Sequence, residues 1–331
     1  MGGSGVAQPR ALRLALFGDG AWAADTLRRL HGGAHRVAVA VLRERPSDGT
    51  LGDACARLGV PVLQPANASA PEFLAQLRAY APELLLSVSY NQILRRTALD
   101  CAPLGAVNFH AGTLPFYRGR NVINWAIING ESEIGLTSHY VDEGIDTGDI
   151  IIQRSLPIGW TDTYGEVLAR VVAALPGLAV DTVHAIADGS ATRCRQAHLP
   201  GTYFGGREDG DEWLDWSDTS EHLHNKIRAI TRPAPGARTM LGASELVIWR
   251  AYYDPAWPRY IATPGQVVGR QPGRGVLVKT GDSTLLVQET QGVGEEPGVP
   301  AWRIGTRLGV DVVGALRAVQ ARLSALEQRR P

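Results

Sequence analysis

The chain has 331 residues, 44% hydrophobic and 20% charged, with 33 basic residues balancing 33 acidic ones. That length is enough for a sizeable core and two domains, and a neutral balance removes any global pull toward nucleic acid or anionic membrane while leaving a local patch open. Three widely spaced cysteines, Cys55, Cys101 and Cys194, argue against a disulfide framework or a structural zinc site and fit a reducing, cytoplasmic setting.

The opening MGGSGVAQPR has no apolar signal core, so residues 1–10 read as disordered. Leu12 to Phe17 then reads as a buried strand, Ala21 to Leu30 as a helix, Arg36 to Leu42 as a strand and Leu51 to Leu58 as a helix. Val60 to Leu63 is a short strand, and Pro71 to Tyr80 a helix opened by its proline. Leu84 to Val88 and Gly105 to Phe109 are strands, and Asn121 to Ile128 a helix. Such alternation predicts an α/β fold, a doubly wound, Rossmann-like parallel sheet with helices on both faces. Ile134 to Val141 and Asp149 to Leu156 follow as strands, then Tyr164 to Ala187 as a long helix. No apolar run is expected to reach bilayer length. After the Gly-rich GTYFGGREDGD and a helix over Glu221 to Ile230, four short strand-like runs are punctuated by Gly and Pro. They are Leu246 to Ala251, Gly265 to Gly269, Gly275 to Lys279 and Leu285 to Gln288, and they predict a small C-terminal β-barrel-like (OB-like) domain. Val312 to Gln328 has helical composition. The expected boundaries are 11–204 for the α/β domain, 205–222 for a connector, 223–318 for the β-domain and 319–331 for a helix and tail.

The first turn, FGDGAWAA, places Gly18, Gly20 and Ala23 in a G-x-G-x-x-A pattern between strand and helix, with Glu44 after the second strand. That context suits a dinucleotide, so an NAD-dependent oxidoreductase is one reading. The other is that any first βα turn of a doubly wound fold needs small residues.

NFHAGTLPFYRGRN points elsewhere. Ligands bind beyond the carboxyl ends of parallel strands. Asn108 and His110 sit at such an end, and period-two alternation turns both to one side, away from Phe109. VDEGIDTGDI, Val141 to Ile150, gathers Asp142, Glu143, Asp146 and Asp149 around Gly144 and Gly148. A carboxylate brought to His110 would orient the imidazole and stabilise its cation, and Asn108 would offer a donor to a developing oxyanion. No nucleophile elbow accompanies them, so the set suits direct acyl transfer. A polar strand end and a solvated turn are the plainer alternatives.

Asn108-x-His110, Thr113-Leu114-Pro115, Tyr117-Arg118-Gly119 and Asp146 in IDTG together resemble the formyltransferase family that uses N10-formyltetrahydrofolate, and releases tetrahydrofolate. HLPGTYFGGRED and RAITRPAPGA resemble its interdomain segment and the start of its C-terminal domain, so the likeness covers most of the chain. It implies Asn108, His110 and Asp146 as catalytic triad: Asn108 on the formyl oxygen, His110 as base or oxyanion stabiliser, Asp146 raising the basicity of the imidazole. It also implies cofactor contacts at Gln92, Ile93 and Leu94 and at Val141, Asp142, Glu143, Gly144 and Ile145. Core packing is the alternative for Ile93 and Leu94. No metal is implied.

Three acceptor amines compete: a nucleotide-linked amino sugar, methionyl-tRNA, and hydroxyornithine of siderophore synthesis. From Glu212 onward, fifteen Lys or Arg face twelve Asp or Glu, too small an excess for concentrated phosphate neutralisation. The sugar is therefore the leading expectation, with Tyr117, Arg118 and Arg120 as substrate contacts and tRNA not excluded. Tyr117 and Trp125 also read as packing residues. His222 and His224 read as solvated, and EWLDW as a staple between domains or a pocket wall.

Overall fold

The computed structural model describes residues 10–196, 203–310 and 312–328. Most of the stretch expected to be disordered at the N-terminus, part of HLPGTYFGGRED and residues 329–331 lie outside these. The chain divides into two units, Met1–Ala126 with Ser132–Ile158 and Glu166–Gly206, and Ile127–Glu131 with Gly159–Gly165 and Arg207–Pro331.

The elements of the first unit are β1 (Arg13–Gly18), α1 (Gly20–His31), β2 (Arg36–Leu42), α2 (Thr50–Leu58), β3 (Val62–Leu63), α3 (Pro71–Ala79), β4 (Leu84–Val88), α4 (Arg96–Leu99), β5 (Ala106–His110), β6 (Arg118–Gly119), α5 (Val122–Ile128), β7 (Glu133–Tyr140), β8 (Ile150–Pro157), α6 (Tyr164–Asp188) and β9 (Tyr203–Phe204). The ends of α5 and α6 belong to the second unit. Seven strands form one sheet in the order β3-β2-β1-β4-β5-β7-β8. The chain winds outward from β1 in both directions, as expected of a doubly wound fold. β1, β2 and β4 are continuous apolar runs because helices cover both their faces.

The sheet is mixed, where a parallel one was expected: β7 pairs antiparallel with β5, and β8 with β7. The reason is legible in β8, whose Gln153, Arg154 and Ser155 are exposed. A strand with so wet a stretch fits an antiparallel edge better than a position covered on both sides. α6 corrects a second expectation, since by length and composition it could cross a membrane. Here Val167, Val171, Leu175 and Leu178 form a buried stripe, and Thr182 Oγ1 donates to Ser138 Oγ on β7 at 2.9 Å.

In the second unit α7 (Ser220–Ile230) opens on Thr219, whose side chain accepts from the His222 amide. Five antiparallel strands follow: β10 (Ala237–Leu241), β11 (Ser244–Tyr252), β12 (Val267–Gln271), β13 (Gly275–Lys279) and β14 (Thr284–Gly292), ordered β10-β11-β14-β13-β12. Leu308 bridges to Leu241 and Arg307 to Gln266, so one short segment ties the two edges together in a barrel-like closure. α8 (Val312–Glu327) ends the unit. β10 was not anticipated, because its short ARTML run follows directly on two prolines and a glycine. His224 is buried rather than solvated, with Nε2 bonded to the Trp160 carbonyl at 3.0 Å. Trp216 of EWLDW is buried within this unit, donating to Thr239 Oγ1 at 2.9 Å.

Candidate active site

The register of β5 on β7 sets Asn108 opposite His139 and His110 opposite Thr137. The β7–β8 loop folds back so that Asp146 reaches both β5 side chains. Asn108 Nδ2 donates to Asp146 Oδ1 at 3.3 Å, and His110 Nδ1 lies 3.7 Å from Asp146 Oδ2. The Gly119 amide donates to the same Oδ2 at 2.9 Å. Asp146 has φ of 54°, a left-handed conformation that Asp tolerates better than most residues and that its partners here hold in place.

His110 is buried, and its Nε2 meets the Tyr117 carbonyl at 2.6 Å. A carbonyl only accepts, so Nε2 carries the hydrogen, and Nδ1, facing Asp146, is left to take a proton. Burial pushes the imidazole below its ordinary value of 6.5, against the opposing pull of Asp146 and the Tyr117 carbonyl. Burial would raise the Asp146 carboxyl, but the neighbouring His139 and His110 side chains and the Gly119 amide outweigh it and bring it to about 2. At neutral pH the pair is therefore a neutral imidazole beside a carboxylate.

His139 is a site residue that the sequence reading missed. Its Nδ1 donates to the Tyr140 carbonyl at 2.8 Å, leaving Nε2 to accept from Asn108 Nδ2 at 3.2 Å. Both amide hydrogens of Asn108 thus already have acceptors, and donation to a formyl oxygen requires one of them to be exchanged. A histidine within an apolar strand, two residues before the acidic loop, was the available signal.

Gly112 sits against this arrangement. A Cβ there would lie 2.5 Å from both His110 Nε2 and the Tyr117 oxygen. Gly112→Ala is expected to part that hydrogen bond and lower kcat about 10- to 100-fold with the circular dichroism spectrum unchanged. Full kcat in the variant would show that the Tyr117 contact has no such role.

A formyl transferase family model matches residues 12–183, and a formyl transferase C-terminal domain model matches residues 208–298. The chain belongs to the formyl transferase family. The formyltransferase is 42% identical to methionyl-tRNA formyltransferase of Symbiobacterium thermophilum over 236 residues, 70% of this chain and 71% of that one. To the methionyl-tRNA formyltransferase of Desulfotalea psychrophila it is 32% identical over 316 residues, 92% and 96% of the two chains. Among solved structures, WlaRD, a sugar 3N-formyl transferase, has a TM-score of 0.64 at 18% identity, covering 84% of this chain and 98% of its own. An N-formyltransferase from Helicobacter canadensis has a TM-score of 0.63 at 19% identity, covering 84% and 99%. The last two likenesses concern the fold. The formyltransferase is a transferase whose formyl donor is that of its family, N10-formyltetrahydrofolate.

The two loops expected to meet this donor are Gln92–Leu94 and Val141–Ile145. Leu94 is buried in one core cluster, and Val141 packs against the same cluster. Ile93 and Ile145 are left 64% and 54% exposed. Gln92 and Asp142 are turned to other work. Gln92 accepts from the Ala68 amide at 2.8 Å and steadies the 65–68 segment, while Asp142 Oδ1 accepts from the Gly144 amide and Thr147 Oγ1 within its own loop. Glu143 and Gly144 are exposed.

Among the residues expected to meet the acceptor, Arg120 is exposed and Tyr117 half-buried. Tyr117 and Trp125 stack on Phe204, at centroid distances of 5.0 and 5.5 Å, which fits their packing role. Arg118 is placed differently from the expectation. It is 1% exposed, engaged with Gln196 and Tyr203, and its isolated charge would be too costly to bury without such partners. The reading as an NAD enzyme is also overturned, by the family match and by the turn itself. A Cβ on Gly18 would lie 2.5 Å from Ala23 Cβ, so that glycine serves helix–strand packing. The buried Asp19 carboxylate, paired with Arg43 at 2.9 Å and with the Ser47 amide, adds negative charge where a pyrophosphate would have to sit.

Proposed function

We propose that this formyltransferase acts through Asn108, His110 and Asp146 on the primary amine of methionyl-tRNA. The observation that carries the acceptor is the sequence likeness to methionyl-tRNA formyltransferases, one of which aligns across both units. N10-formyltetrahydrofolate supplies the formyl carbon, and the exposed side chains of Ile93 and Ile145 offer apolar surface suited to its ring. His110 Nδ1 takes the proton released by the attacking amine and would return it to the donor nitrogen as the bond from that nitrogen to the formyl carbon breaks and tetrahydrofolate leaves. Asp146 remains ionised and stabilises the resulting imidazolium without itself becoming protonated. Asn108 turns one amide hydrogen from its present acceptor to the formyl oxygen.

The sequence-based preference for a nucleotide-linked amino sugar becomes the second reading. It is favoured by the exposed Arg120 and by the small basic excess of the second unit, fifteen Lys or Arg against twelve Asp or Glu from Glu212 onward. The low-identity likeness to sugar N-formyltransferases adds nothing to it beyond the fold. The two are separated by mass spectrometry of methionyl-tRNA and of UDP- and dTDP-linked amino sugars after incubation with N10-formyltetrahydrofolate. We expect formylmethionine on the deacylated tRNA; a formyl gain confined to a sugar nucleotide would reverse the order.

A further inference from the structure

Gln196 joins two buried parts of the first unit. Its Oε1 accepts from Arg118 Nη2 at 2.7 Å and from Nε at 3.1 Å. Its Nε2 donates to the carbonyl of Asp146 at 2.9 Å and to that of Gly148 at 2.7 Å. Chemistry dictates this orientation of the amide, because guanidinium only donates and backbone carbonyls only accept. All four contacts are made in a place where Gln196 is 4% and Arg118 1% exposed.

The consequence lies in how Asp146 is held. The dipeptide Arg118–Gly119 grips it at both ends: the Gly119 amide binds the carboxylate, and the Arg118 side chain reaches the Asp146 carbonyl through Gln196. Asp146 has a left-handed backbone at φ 54°, which persists only where the surroundings over-determine it. We propose that Gln196 is a positioning residue for formyl transfer, fixing the backbone of Asp146 so that its carboxylate faces His110. The inference rests on the proposed role of Asp146 but not on the identity of the acceptor. Gln196 touches none of the groups assigned to the reaction except through Asp146.

The test is Gln196→Met in the full chain, which keeps the size of the side chain and removes all four hydrogen bonds. One readout is kcat and KM with N10-formyltetrahydrofolate and methionyl-tRNA. The other is the titration midpoint of the His110 imidazole by NMR, its resonance assigned from the His110→Ala variant. We expect kcat to fall about 10- to 100-fold, with KM for the folate within about twofold of the parent. The His110 midpoint should drop further, because a displaced carboxylate supports the imidazolium less. An unchanged midpoint would overturn the proposal, whether or not kcat falls, since a merely structural residue would leave His110 as it was. Should the Met variant not fold, Gln196→Glu serves: its carboxylate can still bind Arg118 but cannot donate to the two carbonyls, so the same lowered kcat is expected, and parental kcat overturns the proposal. The titration needs no acceptor. Absence of transfer to methionyl-tRNA by the parent enzyme would therefore sink the acceptor reading while leaving this one to be decided by His110.

Discussion

Replacing His110 by Ala is expected to lower kcat for formyl transfer about a thousandfold, within the range that a positioned acid–base group supplies. Its Nδ1 faces the Asp146 carboxylate and its Nε2 is already committed to the Tyr117 carbonyl, so Nδ1 is the proton acceptor the site offers. KM for the folate should change little, because the proposed donor contacts at Ile93 and Ile145 are untouched. Single-turnover measurement at saturating donor separates chemistry from product release. A loss smaller than about tenfold would mean that solvent or another group takes the proton.

Asp146→Asn should lower kcat about 100- to 10,000-fold, as loss of the orienting carboxylate does in triads. Asn also tolerates the left-handed backbone at φ 54°, so the loop can keep its course. The pH profile is the sharper readout. In the parent enzyme kcat/KM should rise with pH through a midpoint below 6.5, set by the burial of His110, and level off by neutrality. Removing the carboxylate takes away an influence that raises the imidazole, so the variant's midpoint should lie lower still. A variant midpoint equal to or above the parent's would contradict the pairing.

The same shifts set the acid stability. His110 is depressed in the folded state, so protonation favours unfolding, and its contribution is present above 6.5 and lost as pH falls toward its folded value. The Asp146 carboxyl is depressed from 3.8 to about 2, so its contribution, on the order of 2 kcal/mol, is present above 3.8 and lost as pH falls through 2.

Much of the site was legible in the chain itself. Asn108 and His110 lie two apart at a strand end, and a pleated strand must turn both to one face. The Asp146 loop was marked by its glycines and acidic residues, although no local rule states how far it folds back. His139 was hidden because its role depends on the register of β5 against β7, a pairing between distant segments. Arg118 was misplaced for a related reason. A basic residue in a loop rich in Gly and Pro reads as exposed, and distant partners such as Gln196 and Tyr203 make its burial affordable.

The sheet edge follows the same division. Short runs of mostly apolar residues identify β1, β2, β4 and β5 because each strand buries most of its own side chains, a property local to the run. Whether β7 and β8 run parallel or antiparallel is decided by where the chain returns, and no single segment carries that information. The amino-acid sequence by itself thus determined the doubly wound core, the Asn108–His110 pair and the barrel-like second unit, since these rest on periodicity and short-range spacing, while Asp146 was singled out from its acidic neighbours by the resemblance to the formyltransferase family. The tertiary structure alone decided the tautomer of His110, the entry of His139 and the clamp of Arg118 and Gln196 on Asp146. Each of these depends on a hydrogen bond between residues that only folding brings within 3.5 Å.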